Sequence, residues 1–208
     1  ERVCALVLLG VAAPLVAFIA LYLLLTSGAP VFYQGTRLGR GRRPFRMPKL
    51  RTLRLGADAV TGGDLLGNRP ELTVRGGRFL RATRLDELPQ LLSIVRGEMS
   101  FIGPRPERPE VFAAKCRQIP GYERRFDVRP GLIGISQLFT PHGTPKRYRT
   151  LIDNGVIRRR SHAMRRLRIV GLTVWVVAAE VLRRSARQLV LLHARLTGRY
   201  REKRRLRR

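Results

Sequence analysis

An adjacent pair of carboxylates, Asp86-Glu87, stands out in a chain with only 14 Asp and Glu against 42 Lys and Arg. The pair sits in ATRLDELPQL, just ahead of Leu88, Leu91, Leu92 and Val95, which recur at helical spacing. Pro89 suits the first turn of a helix, so both acids fall at its N-terminus. There the dipole favours the ionised carboxylate, and free backbone N–H groups attract phosphate. A carboxylate and a phosphate brought together need cations between them, and magnesium and arginine are the usual answers. The plainer reading makes Asp86 an N-cap and Glu87 a first-turn acid, worth about 1 kcal/mol to the helix.

The basic residues change that weighing. They stand beside glycine and proline in several separate loops: Lys49 and Arg51 in PKLRT, Arg81 in GRFLRAT, Arg105 in GPRPE and Arg129 in VRPG. Proline and glycine fix backbone direction and permit close approach, and an arginine fork pairs well with phosphate oxygens. The formal net charge of +28 demands an anionic partner: nucleic acid, an anionic membrane face or a phosphorylated substrate. Two cysteines, Cys4 and Cys116, build no disulfide framework, and the scattered His142, His162 and His193 suggest no metal cluster.

The elements that position these residues begin with Val3–Leu25, 23 residues without a charge. As a straight helix this run is about 34 Å long, enough to cross the roughly 30 Å of a bilayer core. Pro14 lies in its middle and predicts a kink, which leaves two readings: a kinked span, or a re-entrant helix that enters and leaves on one side. A cleaved signal peptide fits less well, because the run is long and only Arg2 precedes it. Arg37, Arg40, Arg42, Arg43, Arg46, Lys49 and Arg51 follow at once, so the chain beyond Leu25 is expected on the cytoplasmic side.

Val31–Tyr33 and Phe45–Leu55 read as the strands of a small hairpin, with a turn at Leu38–Arg43. A helix is expected over Leu85–Arg96, ended by Gly97, and another over Pro109–Ile119; Gly103–Pro109 and Arg129–Gly134 read as loops. From Arg158 onward 17 Lys and Arg face only Glu180 and Glu202. Ile169–Ala179 is too short to span and suits a helix in the headgroup plane, while the terminal RYREKRRLRR would be drawn to anionic lipid.

The stretch GRFLRATRLDELPQLLSIVRGEMSFIGPRPERPE, followed by RPGLIGISQ, resembles the bacterial sugar transferases, the small monotopic polyprenyl-phosphate phosphoglycosyl transferases. VFYQGTRLGRGRRPFRMPKLRT resembles the segment that follows the family's membrane helix. The resemblance runs from about Leu8 to Thr173, with departures at Ala13, where the family often has serine, and at Ile133, where it usually has threonine. It implies transfer of a sugar-1-phosphate from a nucleotide-diphosphate sugar, usually UDP-linked, to polyprenyl phosphate at the inner membrane, with release of UMP. It maps the nucleophile onto Asp86, a supporting role for metal or proton onto Glu87, and phosphate contacts onto Arg105 and Arg129, with Lys49, Arg51 and Arg81 in support. Mg2+ held near Asp86 and Glu87 is implied as cofactor, and Pro14 as the bend of a re-entrant helix.

The expected architecture is therefore α+β and mostly helical: a membrane-inserted helix over 1–28 kinked at Pro14, a cytoplasmic catalytic domain with a small β-hairpin over 29–160, and a basic interfacial helix and tail over 161–208. A catalytically silent membrane scaffold of the same fold shares every hydrophobic feature. A nucleic-acid-binding protein accounts for neither the membrane segment nor the acidic pair, so nucleic acid is not an expected partner. The oligomeric state stays open, a homodimer included.

Overall fold

The computed structural model describes residues 1–57, 70–141 and 143–158, all within one compact unit, Glu1–Ser161. The expected basic helix and tail over 161–208, the Gly62-Gly63 loop signal and His142 lie outside the described residues.

Helix α1, Arg2–Ser27, runs for 26 residues with Pro14 inside it, about 39 Å at 1.5 Å per residue. It is apolar all round yet uses only one face against protein. Ala5, Leu9 and Ala12 pack on Phe45, Met47, Leu91, Ile94 and Met99. One to three turns further on, Val16, Ile19, Ala20 and Leu23 pack on Leu50, Val74 and Leu80. Steps of three and four residues hold this seam on one side of the cylinder. The remaining surface leaves Val3 77%, Val11 75%, Phe18 70% and Leu25 77% exposed. By length and composition α1 suits insertion in a membrane.

The hairpin forms as expected, with different bounds. Strand β1, Phe32–Leu38, pairs antiparallel with β2, Pro44–Leu50, in the register Phe32↔Leu50 to Leu38↔Pro44. The turn at Gly39–Arg43 closes through Gly39 N–H donating to the Arg43 carbonyl at 2.8 Å, with Gly41 and Arg42 both at positive φ. Beyond Leu50 the chain leaves the ladder, so the expected strand to Leu55 is too long.

Helix α2, Gly77–Thr83, ends where Arg84 turns left-handed at φ 59°. The helix expected over Leu85–Arg96 then proves to be two pieces, a 3-10 turn Leu85–Gln90 and helix α3, Leu91–Val95. Pro89 has no backbone N–H to donate, which fits a tight turn better than the interior of one α-helix. Gly97, at φ 79°, ends α3 as expected.

Arg129–Gly134, read as a loop, is in part a strand. β3, Ser100–Gly103, and β4, Gly131–Gly134, pair in parallel through Ser100↔Gly131 and Ile102↔Ile133. The glycines flanking GPRPE and VRPG explain why sequence reading misled. A Cβ on Gly131 would run into the Gly103 amide nitrogen, and one on Gly103 would lie 2.6 Å from the Arg129 carbonyl oxygen. These glycines serve close backbone approach rather than a turn. Helix α4, Pro109–Gln118, opens on its proline as expected. Helices α5, Ile135–Phe139, and α6, Lys146–Arg158, complete the described fold. It is mostly helical, with two small two-stranded sheets.

Candidate active site

The 3-10 turn Leu85–Gln90 is pinned at both ends by the apolar seam. Leu85 packs with Ile19 and Leu23 of α1, and Leu91 with Ala5. Between those anchors the turn is tightened by Glu87 N–H donating to the Arg84 carbonyl at 3.0 Å. Asp86 and Glu87 are consequently buried, at 7% and 9% exposure. Burying two adjacent carboxylates is costly unless cations meet them.

Cations meet Glu87 first. Lys49 Nζ from β2 donates to Glu87 Oε1 at 2.7 Å, and Arg105 Nη2 donates to the same oxygen at 3.2 Å. Arg84 Nη1 stands 3.9 Å from Oε2. Burial alone would push Glu87 upward, but Arg105 and Lys49 outweigh it and hold the carboxyl at about 2. The same burial, only partly offset by Glu87, lowers the Lys49 ammonium.

Asp86 is the opposite case. Its hydrogen bond is to its own backbone N–H, and burial pushes its carboxyl up to about 6 although Lys49 and Arg81 pull the other way. Two neighbouring carboxylates thus have separate duties: Glu87 is a clamped anion, and Asp86 is a poorly solvated acid whose oxygens remain available. Such divergence between adjacent acids makes the pair a candidate reactive site.

The basic residues singled out in the sequence divide into two groups. Lys49 and Arg105 bind Glu87 directly, and Arg81, in the last turn of α2, acts on Asp86 through space. Arg51 is engaged elsewhere. Its Nη2 donates to the carbonyls of Ser27 and Gly28, both at 2.6 Å, and its Nη1 to that of Ala29 at 3.4 Å. It closes the C-terminal end of α1. Arg129 lines a cavity of about 580 Å³ with Arg40, Arg43, Phe45, Arg96 and Glu98, and neither Asp86 nor Glu87 belongs to that lining.

Three residues of the site escaped the sequence reading. Arg84 was findable, since it stands three positions before Glu87 on a turn. Gln137, whose Oε1 accepts from Arg105 Nη1 at 3.5 Å, and Arg125 come from distant segments with no spacing signal. Arg125 Nη2 donates to the Arg105 carbonyl at 3.3 Å. It also lies 3.8 Å from Glu107 Oε2 and 3.7 Å from Asp153 Oδ2, and it stacks on the Tyr122 ring. Glu107 Oε2 accepts in addition from Tyr122 Oη and, at 3.2 Å, from Lys146 Nζ. This second network fixes the backbone of the loop that presents Arg105.

Among the described residues no group of three or more His, Cys, Asp and Glu forms a metal cage. Two carboxylates suit an ion such as Mg2+, which keeps several waters and takes further oxygens from a substrate's phosphates. A buried carboxylate beside clustered cations can attack, or stand against, a phosphorylated group.

Comparison with known proteins agrees with this chemistry. A Caulobacter vibrioides protein named UDP-glucose:undecaprenyl-phosphate glucose-1-phosphate transferase is 40% identical over 138 residues, covering 66% of this chain and 51% of that one. A Bacillus subtilis (strain 168) protein with the provisional name of an undecaprenyl-phosphate N-acetylgalactosaminyl 1-phosphate transferase is 42% identical over 123 residues, 58% of this chain and 67% of its own. An Aeromonas hydrophila UDP-N-acetylgalactosamine-undecaprenyl-phosphate N-acetylgalactosaminephosphotransferase is 37% identical over 130 residues, 60% of this chain but only 29% of its own. The chain therefore spans between about a third and two thirds of these relatives. The sequence profile described as bacterial sugar transferase matches residues 1–180, and the chain belongs to that family.

Proposed function

We propose that this chain transfers a sugar-1-phosphate from a nucleotide-diphosphate sugar, UDP-linked, to polyprenyl phosphate at the membrane surface, an initiating step of polysaccharide or glycoconjugate assembly. The single observation that carries the reading is the unequal dyad: a buried, loosely held Asp86 beside a Glu87 locked by Lys49 and Arg105.

Asp86 attacks the sugar-bearing phosphorus through a carboxylate oxygen. A P–O bond forms, the bond to the nucleoside phosphate oxygen breaks, and UMP leaves. An oxygen of polyprenyl phosphate then attacks the same phosphorus, breaks the acyl-phosphate bond and returns Asp86 as a carboxylate. Splitting the transfer avoids bringing two polyanions together at once. Lys49, Arg105 and Arg81 meet the charge that develops on the diphosphate, with Arg84 behind them. Asp86 and Glu87 would be the protein oxygen donors to a Mg2+ ion, which would supply further neutralisation of phosphate charge.

The arrangement of α1 favours the re-entrant topology over a span. The domain packs along α1 from Ala5 to Leu23, so a perpendicular span would drag Phe45, Leu91 and Leu50 into hydrocarbon with it. Guanidinium groups also stand at both ends of the helix, Arg2 over Gly97 and Arg51 at Ser27–Ala29. Charges at both ends suit a helix dipping from one face, here the cytoplasmic one, with residues 29–160 as the catalytic domain and 161–208 drawn to anionic lipid.

The test is UMP release by purified protein given UDP-sugars, Mg2+ and polyprenyl phosphate. Turnover with a phosphosugar adduct trapped on Asp86 is expected, and Asp86→Asn should abolish both. Product formation with no adduct, or by the Asn variant, would overturn the mechanism.

A further inference from the structure

The cavity of about 580 Å³ that Arg129 lines plays no part in the reaction above. Three separate segments meet there. The hairpin turn supplies Arg40 and Arg43, the turn that follows α3 supplies Arg96 and Glu98, and the chain entering β4 supplies Arg129. Four guanidinium groups thus share a hollow with a single carboxylate. Its volume suits a small polar ligand or a headgroup.

Like charges collected in a concave site repel one another and focus their field. Acids usually relieve that repulsion, as Glu87 does for Lys49 and Arg105. Here they do not: among the described residues none of the four arginines enters an ion pair or a side-chain hydrogen bond. Among those residues the Oε2 of Glu98 is itself buried without a hydrogen bond. An anion with several acceptor oxygens, a phosphate above all, would answer these four forks.

Position selects the phosphate. Phe45 of the lining and Lys49 at the dyad stand four residues apart on β2, about 13 Å at 3.3 Å per residue. A phosphorus under attack lies roughly 3.5 Å from its nucleophile, and the second phosphate of a diphosphate is one bridging oxygen further. Neither donor phosphate reaches the cavity. Its neighbour is instead the N-terminal end of α1, where Phe45 packs on Ala5 and the Arg2 guanidinium lies over Gly97. Val3, Leu6 and Val7 in the same turns are exposed. A phosphate that carries acyl chains meets both features, its charge in the cavity and its chains along the helix. We infer that this cavity seats the phosphate of a bilayer phospholipid of net negative charge and so fixes the N-terminal end of α1 at headgroup depth. This rests on the placement of both helix ends at one membrane face proposed above, and not on the chemistry at Asp86.

The test uses the full chain in non-ionic detergent with dioctanoyl phosphatidylglycerol as probe, and binding constants are read by native mass spectrometry. Phosphatidylglycerol should bind at least about tenfold more tightly than dioctanoyl phosphatidylcholine, whose charges balance. Arg43→Gln together with Arg96→Gln should weaken phosphatidylglycerol about tenfold, the scale of one charge-assisted hydrogen bond. Arg117→Gln together with Arg124→Gln, an equal charge change at exposed positions outside the lining, should leave binding within about twofold. Glu98→Gln removes the opposing charge and should tighten binding, a change of sign that a damaged cavity would not produce. Asp86→Asn should bind the lipid like the wild type. Equal losses in the two arginine pairs would reduce the effect to net charge and overturn this inference alone. Displacement of the lipid by inorganic phosphate or by UMP at equal concentration would overturn the bilayer as the source of the phosphate. Cys4 is exposed in the first turn of α1. Its labelling by an impermeant thiol reagent outside intact cells, in a Cys116→Ser background, would overturn the proposed topology and this seat with it.

Discussion

Two clusters in this molecule are built from nearly the same parts and do different work. Around the 3-10 turn, Asp86 and Glu87 meet Lys49, Arg84 and Arg105; in the second cluster, Glu107 and Asp153 meet Arg125, and Glu107 also meets Lys146. In the second cluster both acids have partners. Glu107 has three, and Asp153 accepts from the Ser136 backbone N–H at 3.3 Å as well as facing Arg125. In the first, among the described residues, the short side-chain contacts go to Glu87, while Asp86 is left with its own backbone. The contrast teaches that burial of charge does not by itself identify a reactive site; incomplete pairing does.

The comparison breaks most visibly at the two aspartates. Asp86→Asn is expected to reduce turnover at least about 10³-fold, since the proposed nucleophile is removed. Asp153→Asn should keep most of the activity, since the partners of Asp153 are Ser136 and Arg125, and its effect on melting is the balance of those contacts against the burial that pushes its carboxyl up. Measuring UMP release and melting on both variants checks the pair. Activity lost equally in both would erase the distinction.

Arg125→Met sharpens it from the other side. The substitution strands Glu107 and Asp153 in buried positions, for an expected loss of about 3–5 kcal/mol by denaturant titration. Because Arg125 also holds the Arg105 carbonyl, turnover at a temperature where the variant is still folded should fall as well. A variant that loses stability but keeps full activity would show the two clusters to be independent.

The carboxyl shifts give opposite pH signatures. Glu87, held down at about 2, contributes stability that is fully present above its ordinary range near 4.5 and is lost as pH falls through 2. Asp86, pushed up to about 6, favours its protonated form in the fold, so ionising it costs stability as pH rises from 4 through 6. Asp86→Asn should therefore stabilise the protein by up to about 3 kcal/mol at pH 7.5 and by little at pH 4. Melting curves across that range check this, and wild-type turnover should decline as pH drops through about 6.

The sequence disclosed the clustering acids and cations better than the architecture. Asp86-Glu87, Lys49, Arg81 and Arg105 could be singled out because acids are rare here and because glycine and proline flag the loops that hold the cations. The apolar run of α1 was equally plain, but its seam at Ala5, Leu9, Ala12, Val16, Ile19 and Leu23 was hidden by apolar residues on every other face. A hydrophobic stripe shows only against polar neighbours. The β3–β4 pair was missed because its glycines serve close contact between strands distant in sequence, which no local pattern encodes. Gln137 and Arg125 enter the site through that same long-range packing.

Arg51 is where local pattern misled most instructively, and it offers the smallest of these effects. In PKLRT it shares a short basic segment with Lys49, two residues away. Neighbours at that spacing on a continuing strand would share a face. The ladder ends at Leu50, however, and Arg51 turns to the end of α1, where three carbonyls lack helical partners. Its two terminal amino groups are thereby committed to backbone, whereas Nη2 of Arg105 reaches Glu87. Arg51→Ala should cost about 1 kcal/mol by thermal melting, for hydrogen bonds lost at a partly exposed helix end. It should leave KM for the UDP-sugar near the wild-type value, whereas Arg105→Ala should raise KM, lower kcat and free Glu87 from its clamp. A comparable loss of donor affinity in both variants would return Arg51 to the phosphate and require its guanidinium to leave the helix end during turnover.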